Sequence, residues 1–533
     1  FAGGGLTTGS SNVAIGTQAL STEDEHGNNT AVGYQALKVQ NAGADASNVA
    51  LGYRSGLAVT TGIQNTLIGG NAGDSITTGG QNNLMGLQAG GGLTTGSSNV
   101  AIGVNALLTE DTGGRSVAIG EGTLQLQNND ASNYNIAIGH SAANVITTGV
   151  QNTIIGGQAA DAATTMLRGV VIGYRALGGG VATGSDNVII GEASGHNMTA
   201  GASNVVIGGG AGFSMTGADE NVVIGQQAGD ALTTGQKNVA IGFDALGGED
   251  SHDANVAIGY RSLKNQNAGA DAFNVAVGTD SGISVTTGVK NTIIGGNAGD
   301  TVTTGSENTI LGNDAGTAVT TGNRNICIGD SSGTGLVGGN DNIIIGHDST
   351  TGAGSGTNMI IIGTDASSNF GSNTTLIGHT NITKAIVRGL RQEVVAVTAN
   401  TSLTAVNANQ LNLFDDADGA AITLPDSGGG VLIGSSYEFI ISVTATSNTH
   451  TIVVADTDNE VMIGNLFRID TDSSDALTAD PALVGDGYTE VQMNGGTQGG
   501  IKGSYIKCTN LAADLWYVEG KLLHSGTVAS AWN

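Results

Sequence analysis

Proline is almost missing from this chain, with 2 in 533 residues, and beside it stand only 2 cysteines, 4% aromatic residues and 17 Lys and Arg. Each scarcity removes a class of protein. Cys327 and Cys508 are too few and too far apart in sequence for a disulfide framework or a cysteine metal centre. The basic residues are outnumbered by 45 Asp and Glu, which leaves a net charge of −28 and no basic stripe. Phosphate backbones and anionic membrane surfaces would repel such a chain, so neither nucleic acid nor a membrane is an expected partner. No apolar run approaches the roughly 18 residues of a membrane span, and no secretory signal opens the sequence. Phe1-Ala2-Gly3 matches Gln88-Ala89-Gly90 in the middle of a repeat, so the chain reads as a piece of something longer. So few aromatic and charged residues do not make an ordinary globular core.

What the chain has instead is 90 glycines, and they are periodic. The stretch GGGLTTGSSNVAIG runs from Gly3 to Gly16 and returns unchanged from Gly90 to Gly103. Aligned on its last glycine, the motif recurs 22 times between Gly16 and Gly378, and sixteen of the 21 intervals are 17 residues long. Three are 19, with insertions around Leu37 to Asp45, Leu124 to Asp130 and Leu263 to Asp271 that should form small outward loops. A short, nearly fixed period in a Gly-rich, Pro-poor chain predicts a solenoid of stacked coils, and a 17-residue coil has room only for short strands and tight corners.

Each coil reads the same way. Four residues before the glycine stands Asn in 18 of 22 coils, among them Asn12, Asn29, Asn48, Asn65, Asn82, Asn99, Asn152 and Asn238, predicting a ladder of side-chain amides from coil to coil. The next three residues are almost always apolar or Thr and form a strand, as in Val13-Ala14-Ile15. A small residue three places after the glycine marks a corner, and aliphatic-Thr-Thr-Gly, as in Val59-Thr60-Thr61-Gly62, predicts a second, weaker strand. Side chains alternate across a strand, yet the middle position is also apolar in every coil, so both faces of the strand are dry. One face fills the coil interior and the other needs a partner, which predicts a homo-oligomer. At about 4.8 Å per strand, 22 coils would make a rod of roughly 100 Å.

The x-N-V-A-I-G motif with its small following residue resembles the repeats of YadA-like trimeric adhesin heads, and longer forms such as NNTAVGYQAL (Asn28 to Leu37) resemble repeats of tailed-phage fibres. The resemblance covers about residues 1–385 and implies a left-handed parallel β-roll with three chains around one axis. The 17-residue period departs from the shorter adhesin repeat.

The period stops after Gly378, and both prolines (Pro425, Pro481) and both tryptophans (Trp516, Trp532) lie beyond it. The predicted organisation is a β-solenoid shaft over 1–380, a neck carrying Lys384, Arg388 and Arg391 over 381–399, and an antiparallel β-sandwich over 400–533. Strand patterns are AITLP, SYEFIISVTA, HTIVVAD, SYIKCTNL and LWYVEGKLL. The ending resembles the small β-domains that finish structural proteins of marine tailed phages. The expected fold class is thus all-β, a parallel β-solenoid of about 22 coils followed by an antiparallel β-sandwich, with three chains per assembly as the resemblance implies.

Sites are sparse. Asp456, Asp458, Asp470, Asp472 and Asp475 sit in acidic turns that read either as solvated loops or as a Ca²⁺ site, and none has EF-hand spacing. His140, His347 and His379 read as exposed corner residues, and Trp516 as core, while Trp532 is a candidate for an intersubunit contact. The ten Thr-Thr-Gly triplets suggest an ordered-water face, but Glu23-Asp24-Glu25-His26 and Met166-Leu167-Arg168 interrupt it. No catalytic constellation is present, and strands with so few carboxylates argue against a glycan depolymerase. The expected function is a non-enzymatic fibre on the surface of a tailed phage, with itself, other virion proteins and a host cell-surface glycan or protein as partners, no required cofactor and Ca²⁺ as an optional one. The alternative is a bacterial trimeric surface adhesin or extracellular filament subunit.

Overall fold

The structure, a computed structural model, describes residues 1–378 except 353, 369 and 370, and from 394 onward the residues 394–404, 411–416, 418–426, 434–442, 444, 449–455, 461–470, 478–482, 488–493, 504–512, 515–524 and 531–532. The chain divides into two compact units, Phe1–Ala385 and Ile386–Asn533. Among the described residues there is no helix. The predicted neck falls largely outside the described residues, and its last part supplies a strand, Val394–Val397, to the second unit.

The first unit is one 22-stranded parallel sheet in which each coil contributes a three-residue strand. Register is strict: Val13, Ala14 and Ile15 pair with Thr30, Ala31 and Val32 of the next coil, and so on to Ile360–Ile362 against Thr375–Ile377. Glycine ends each strand because the coils approach there too closely for a side chain. Gly16 has φ 121°, and a Cβ on it would stand 2.5 Å from the carbonyl oxygen of Gly33.

The second strand predicted for each coil does not form. Val59-Thr60-Thr61-Gly62 is a bend, and the two-residue pairing of Thr350–Thr351 with Ser367–Ser368 lies at an earlier corner, four and five residues past the glycine. The physical reason is the run of left-handed residues at the preceding corner, as at Arg54 (φ 54°) and Gly56 (φ 62°), which turns the chain before a strand can extend. Threonine compensates with its hydroxyl. The N–H of Thr60 donates to Thr77 O at 2.9 Å and its Oγ1 donates to the same oxygen at 3.1 Å.

The interior is thin, lined by the middle residue of each strand, by two corner positions three and four past the glycine, and by the aliphatic residue seven past it, such as Val59 or Ile76. In many coils the strand centre and the residue four past the glycine trade volume, although Ala50, Ala137 and Ala276 are followed by Gly56, Ala143 and Gly282. Where the strand carries Ala, as at Ala31, Ala101, Ala118 and Ala240, the residue four past the glycine is Leu37, Leu107, Leu124 and Leu246; where it carries Leu67, Leu84, Ile293 or Ile310, that residue is Gly73, Gly90, Gly299 or Gly316. Close packing therefore survives without a fixed sequence.

In the second unit the predicted strand patterns fall on Ala421–Thr423, Ser436–Ile441, His450–Val453, Tyr505–Ala512 and Leu515–His524. Their sheets are mixed. The chain alternates between a seven-stranded and a four-stranded sheet, so that Val394–Val397, Leu411–Phe414 and Ser436–Ile441 run parallel in one, and Thr401–Ser402, Ala421–Thr423 and His450–Val453 run parallel in the other. Antiparallel pairing joins His450–Val453 to Glu490–Met493, Val461–Asp470 to Thr478–Ala482, and Tyr505–Ala512 to Leu515–His524. The core holds Phe414, Tyr437, Phe439, Trp516 and Trp532. Trp516 meets Tyr437 edge-on at 5.7 Å, and Trp532, 6% exposed, packs on Tyr488 in its own unit rather than offering itself to another chain.

Candidate functional site

The asparagines act on the backbone. Asn65 Oδ1 accepts the N–H of Asn82, one coil on, at 3.0 Å, while its Nδ2 donates to Gly79 O at 3.0 Å. The same acceptor role is filled by Asn12, Asn29, Asn48, Asn82, Asn99, Asn152 and Asn238. Each side chain stitches two coils at a buried N–H that the strand ladder does not reach. Amide-to-amide contacts, such as Asn152 Nδ2 to Asn135 Oδ1 at 3.2 Å, are secondary to these backbone bonds.

The strand's middle residue points inward, so its first and third residues make an outer face. In the first coil Val13 and Ile15 are 44% and 59% exposed, and the pattern of a buried centre with open flanks recurs up to Ile360–Ile362. The third position is aliphatic or Met in all 22 coils, and the first is aliphatic or Thr except at Asn83. Beside this stripe, one residue past the glycine, lie exposed Tyr34, Tyr53, Leu87, Val104, Tyr174, Phe243 and Tyr260. Tyr34 stacks on Tyr53 at 5.5 Å and Phe243 on Tyr260 at 5.4 Å.

The scarce cations bridge successive coils. Arg168 meets Asp186 and Arg324 meets Asp341, each through two hydrogen bonds of 2.6 to 2.9 Å, and Arg261 meets Asp280 at 2.7 Å. The guanidinium beside each of Asp186 and Asp341 holds its carboxyl below the ordinary value. A hollow of about 190 Å³ is lined by Tyr174, Arg175, Glu192, Ala193, His196 and Phe213, with the His196 and Phe213 rings stacked at 5.0 Å.

Sequence reasoning missed a set of buried acids. Glu23, Glu110 and Glu249 are fully buried, at the coil position where neighbours carry Val59, Ile76 or Leu232. Glu23, read from sequence as an interruption of a solvated threonine face, points inside. The three insertions, expected as outward loops, each place a fully buried glutamine at their root, Gln40, Gln127 and Gln266. The signal was present as Glu-Asp recurring six residues before the asparagine position, at Glu23, Glu110 and Glu249. Burial pushes the carboxyls of Glu23 and Glu249 up, against opposing hydrogen bonds and charge from His26 and His252.

Of the acidic residues proposed from sequence for a cation, Asp456, Asp458, Asp472 and Asp475 lie outside the described residues, and Asp470 ends the strand Val461–Asp470 with its side chain outside them as well. His140 and His347 are exposed, the latter among Asp330, Asp348 and Asp365, while His379 is outside the described residues. Cys327 and Cys508 are buried free thiols, and burial pushes the Cys327 thiol up to about 12. No helix among the described residues is long and apolar enough to cross a membrane. No family model matches the chain, and no curated protein or solved structure matches it either.

Proposed function

We propose that this protein is a structural fibre of a tailed phage: a trimeric shaft, displayed on the virion surface, that presents its C-terminal β-unit to a bacterial host. The observation that carries the reading is the outer face of the sheet, aliphatic or Met at its third position in every coil and aliphatic or Thr at its first except at Asn83. Monomeric proteins rarely expose contiguous apolar patches larger than a few hundred Å². A stripe of two such side chains per coil over 22 coils is an interface in need of an occupant, and a second and third copy of the same stripe match it coil for coil. The role is mechanical, without catalysis or a required cofactor. Attachment to a host glycan or protein can use exposed rings of the first unit, with the Tyr174, Arg175 and Phe213 hollow as one place where a sugar face can stack. Other virion proteins are the expected anchor, and Ca²⁺ is a candidate bridge between the acidic surface and an anionic cell envelope.

Light scattering on the purified chain tests the assembly. Three chains of 52.6 kDa give about 158 kDa, and a mass that holds in EDTA places the assembly in the apolar face rather than in bridging cations. A stable monomer overturns the reading. Antibodies against the chain should label fibres on phage particles by electron microscopy, and labelling of the bacterial surface in uninfected cells would instead favour the adhesin.

A further inference from the structure

The three buried glutamates form a natural experiment within one chain. Each is followed 17 residues later by its buried glutamine, so Glu23 and Gln40, Glu110 and Gln127, Glu249 and Gln266 are stacked one coil apart. The middle copy is closed by neutral donors. Glu110 Oε2 accepts from Gln127 Nε2 at 2.9 Å and Asn133 Nδ2 at 2.8 Å, while Oε1 accepts from the Gly113 N–H at 2.8 Å. Both oxygens are satisfied.

The outer copies differ from it at two places. Asn133 becomes Ala46 and Ala272, which takes a donor away, and Gly113 becomes His26 and His252, which adds an imidazole. Glu23 Oε2 and Glu249 Oε2 are buried without any hydrogen-bond partner, and so are Nε2 of Gln40 and of Gln266. His252 Nδ1 lies 2.8 Å from Glu249 Oε1 and 3.8 Å from Asp250 Oδ1, and His26 Nδ1 lies 3.6 Å from Glu23 Oε1. In each turn one ligand atom from Glu, Asp and His falls within 4.8 Å of the other two. These spacings bracket the separation of about 3.3 Å between donors that sit about 2.0 to 2.2 Å from a tetrahedral Zn²⁺.

We propose that the two Glu-Asp-x-His turns, Glu23-Asp24-Glu25-His26 and Glu249-Asp250-Ser251-His252, each bind one divalent first-row transition ion such as Zn²⁺ through the glutamate, the aspartate and His Nδ1. A nitrogen ligand beside two carboxylates selects such an ion over Ca²⁺ or Mg²⁺, which take oxygen. Oε1 keeps a backbone donor in both outer copies, from the His26 N–H at 3.3 Å and the His252 N–H at 3.1 Å, so what they lack is the donation of Asn133 and the glutamine to Oε2. A buried carboxylate left with one oxygen unmet is costly, and a cation offsets its charge. With Oε1 on the ion, Oε2 stays ionised and is the acceptor that the neighbouring glutamine lacks, an outer hydrogen bond of the kind that orients metal ligands. A proton shared between Glu249 Oε1 and His252 Nδ1 occupies one oxygen and leaves the other orphaned. The turns sit in single coils, so this site does not depend on the fibre reading.

Isothermal titration of the metal-free full chain with Zn²⁺ alone at neutral pH tests it. Two ions per chain are expected. His26→Ala and His252→Ala each remove one, and the double variant removes both, weakening uptake at least tenfold at each turn. Glu110→Gln and His347→Ala, the latter in the exposed Asp330, His347, Asp348 cluster, leave the count at two. Circular dichroism on each variant verifies that the β-solenoid is intact, and His→Gln at the same positions is the substitute where alanine unfolds a coil. Absence of uptake by the parent chain, or two ions persisting in the folded double variant, overturns the proposal and leaves the turns as Glu–His hydrogen bonds.

Discussion

Leu67 and Gly73 meet in one volume that Ile76 and Leu84 also border: a Cβ placed on Gly73 would stand 3.1 Å from Leu67 Cδ2, 2.9 Å from Leu84 Cδ1 and 2.7 Å from Ile76 Cδ1. The exchange with Ala31 and Leu37 shows that the corner does not require glycine for its backbone. Leu37 adopts φ 45° at the equivalent place, so leucine reaches the left-handed region there. Gly73→Leu is therefore expected to destabilise by about 1–3 kcal/mol through overpacking, and Leu67→Ala by about 2–5 kcal/mol through a cavity. The double variant should cost less than their sum by more than about 0.5 kcal/mol, because each change relieves the other. Urea unfolding of the four proteins measures the coupling, and strict additivity would contradict a shared volume.

Asn65→Ala removes an acceptor from the Asn82 N–H and a donor from Gly79 O, both inside the coil stack. Each unmet buried group costs about 1–3 kcal/mol. Hydrogen exchange should show the Asn82 amide losing protection with its neighbours, while coils several repeats away keep theirs, since a solenoid is held by nearest-neighbour contacts. Ser116, Gly169, Met359 and Thr374 already stand at this position in four coils, so the shaft is expected to remain assembled.

The repeat and its strand were legible because a 17-residue coil repeats its hydrogen-bonding problem 22 times, and Asn12 solves it as Asn238 does. Three features were not. Alternation in SYEFIISVTA reads the same in either direction, so the parallel partnership of Ser436–Ile441 with Leu411–Phe414 across a sheet change was hidden. A left-handed Leu20 at φ 47° contradicts residue preference, and only the stacked coils impose it. Glu23 within a threonine array looks solvated because charge on a strand edge usually is; its place inside follows from the six-residue offset to Asn29, which matches Val59 to Asn65. The unpartnered face was legible as a need, but which residues form it depended on Ala14 turning inward.

Four aspartates share another corner, five residues past the glycine: Asp74, Asp161, Asp230 and Asp300. Burial is the largest influence on each and raises its carboxyl above the ordinary value. Oδ1 of Asp161 and of Asp300 has no hydrogen-bond partner. A folded-state value above the unfolded one means that the ionised form opposes folding at neutral pH, and that the cost fades as pH falls through the raised values and is gone below the ordinary Asp value of about 3.9. Replacing all four by Asn should raise the melting temperature at pH 7, and the gap to the parent should close as pH approaches 4. Comparing the two proteins cancels the general relief of charge repulsion on acidification. A gap that is constant with pH would rule out titration of these groups as its source.

The outer face makes the strongest demand of all. Leu51 and Met85 are exposed third-position side chains two coils apart, and a charge at either costs an isolated chain little because the side chain already meets solvent. In a trimer each substitution places three charges together at the axis, where desolvation is severe. Leu51→Lys with Met85→Lys is thus expected to leave the circular dichroism of the shaft unchanged while shifting the light-scattering mass from about 158 kDa toward the 52.6 kDa of one chain. Lysine at Thr60, on the bend away from this face, should leave the mass alone. If the doubly charged variant keeps the larger mass, the chains meet through another surface, and the apolar stripe needs a different occupant.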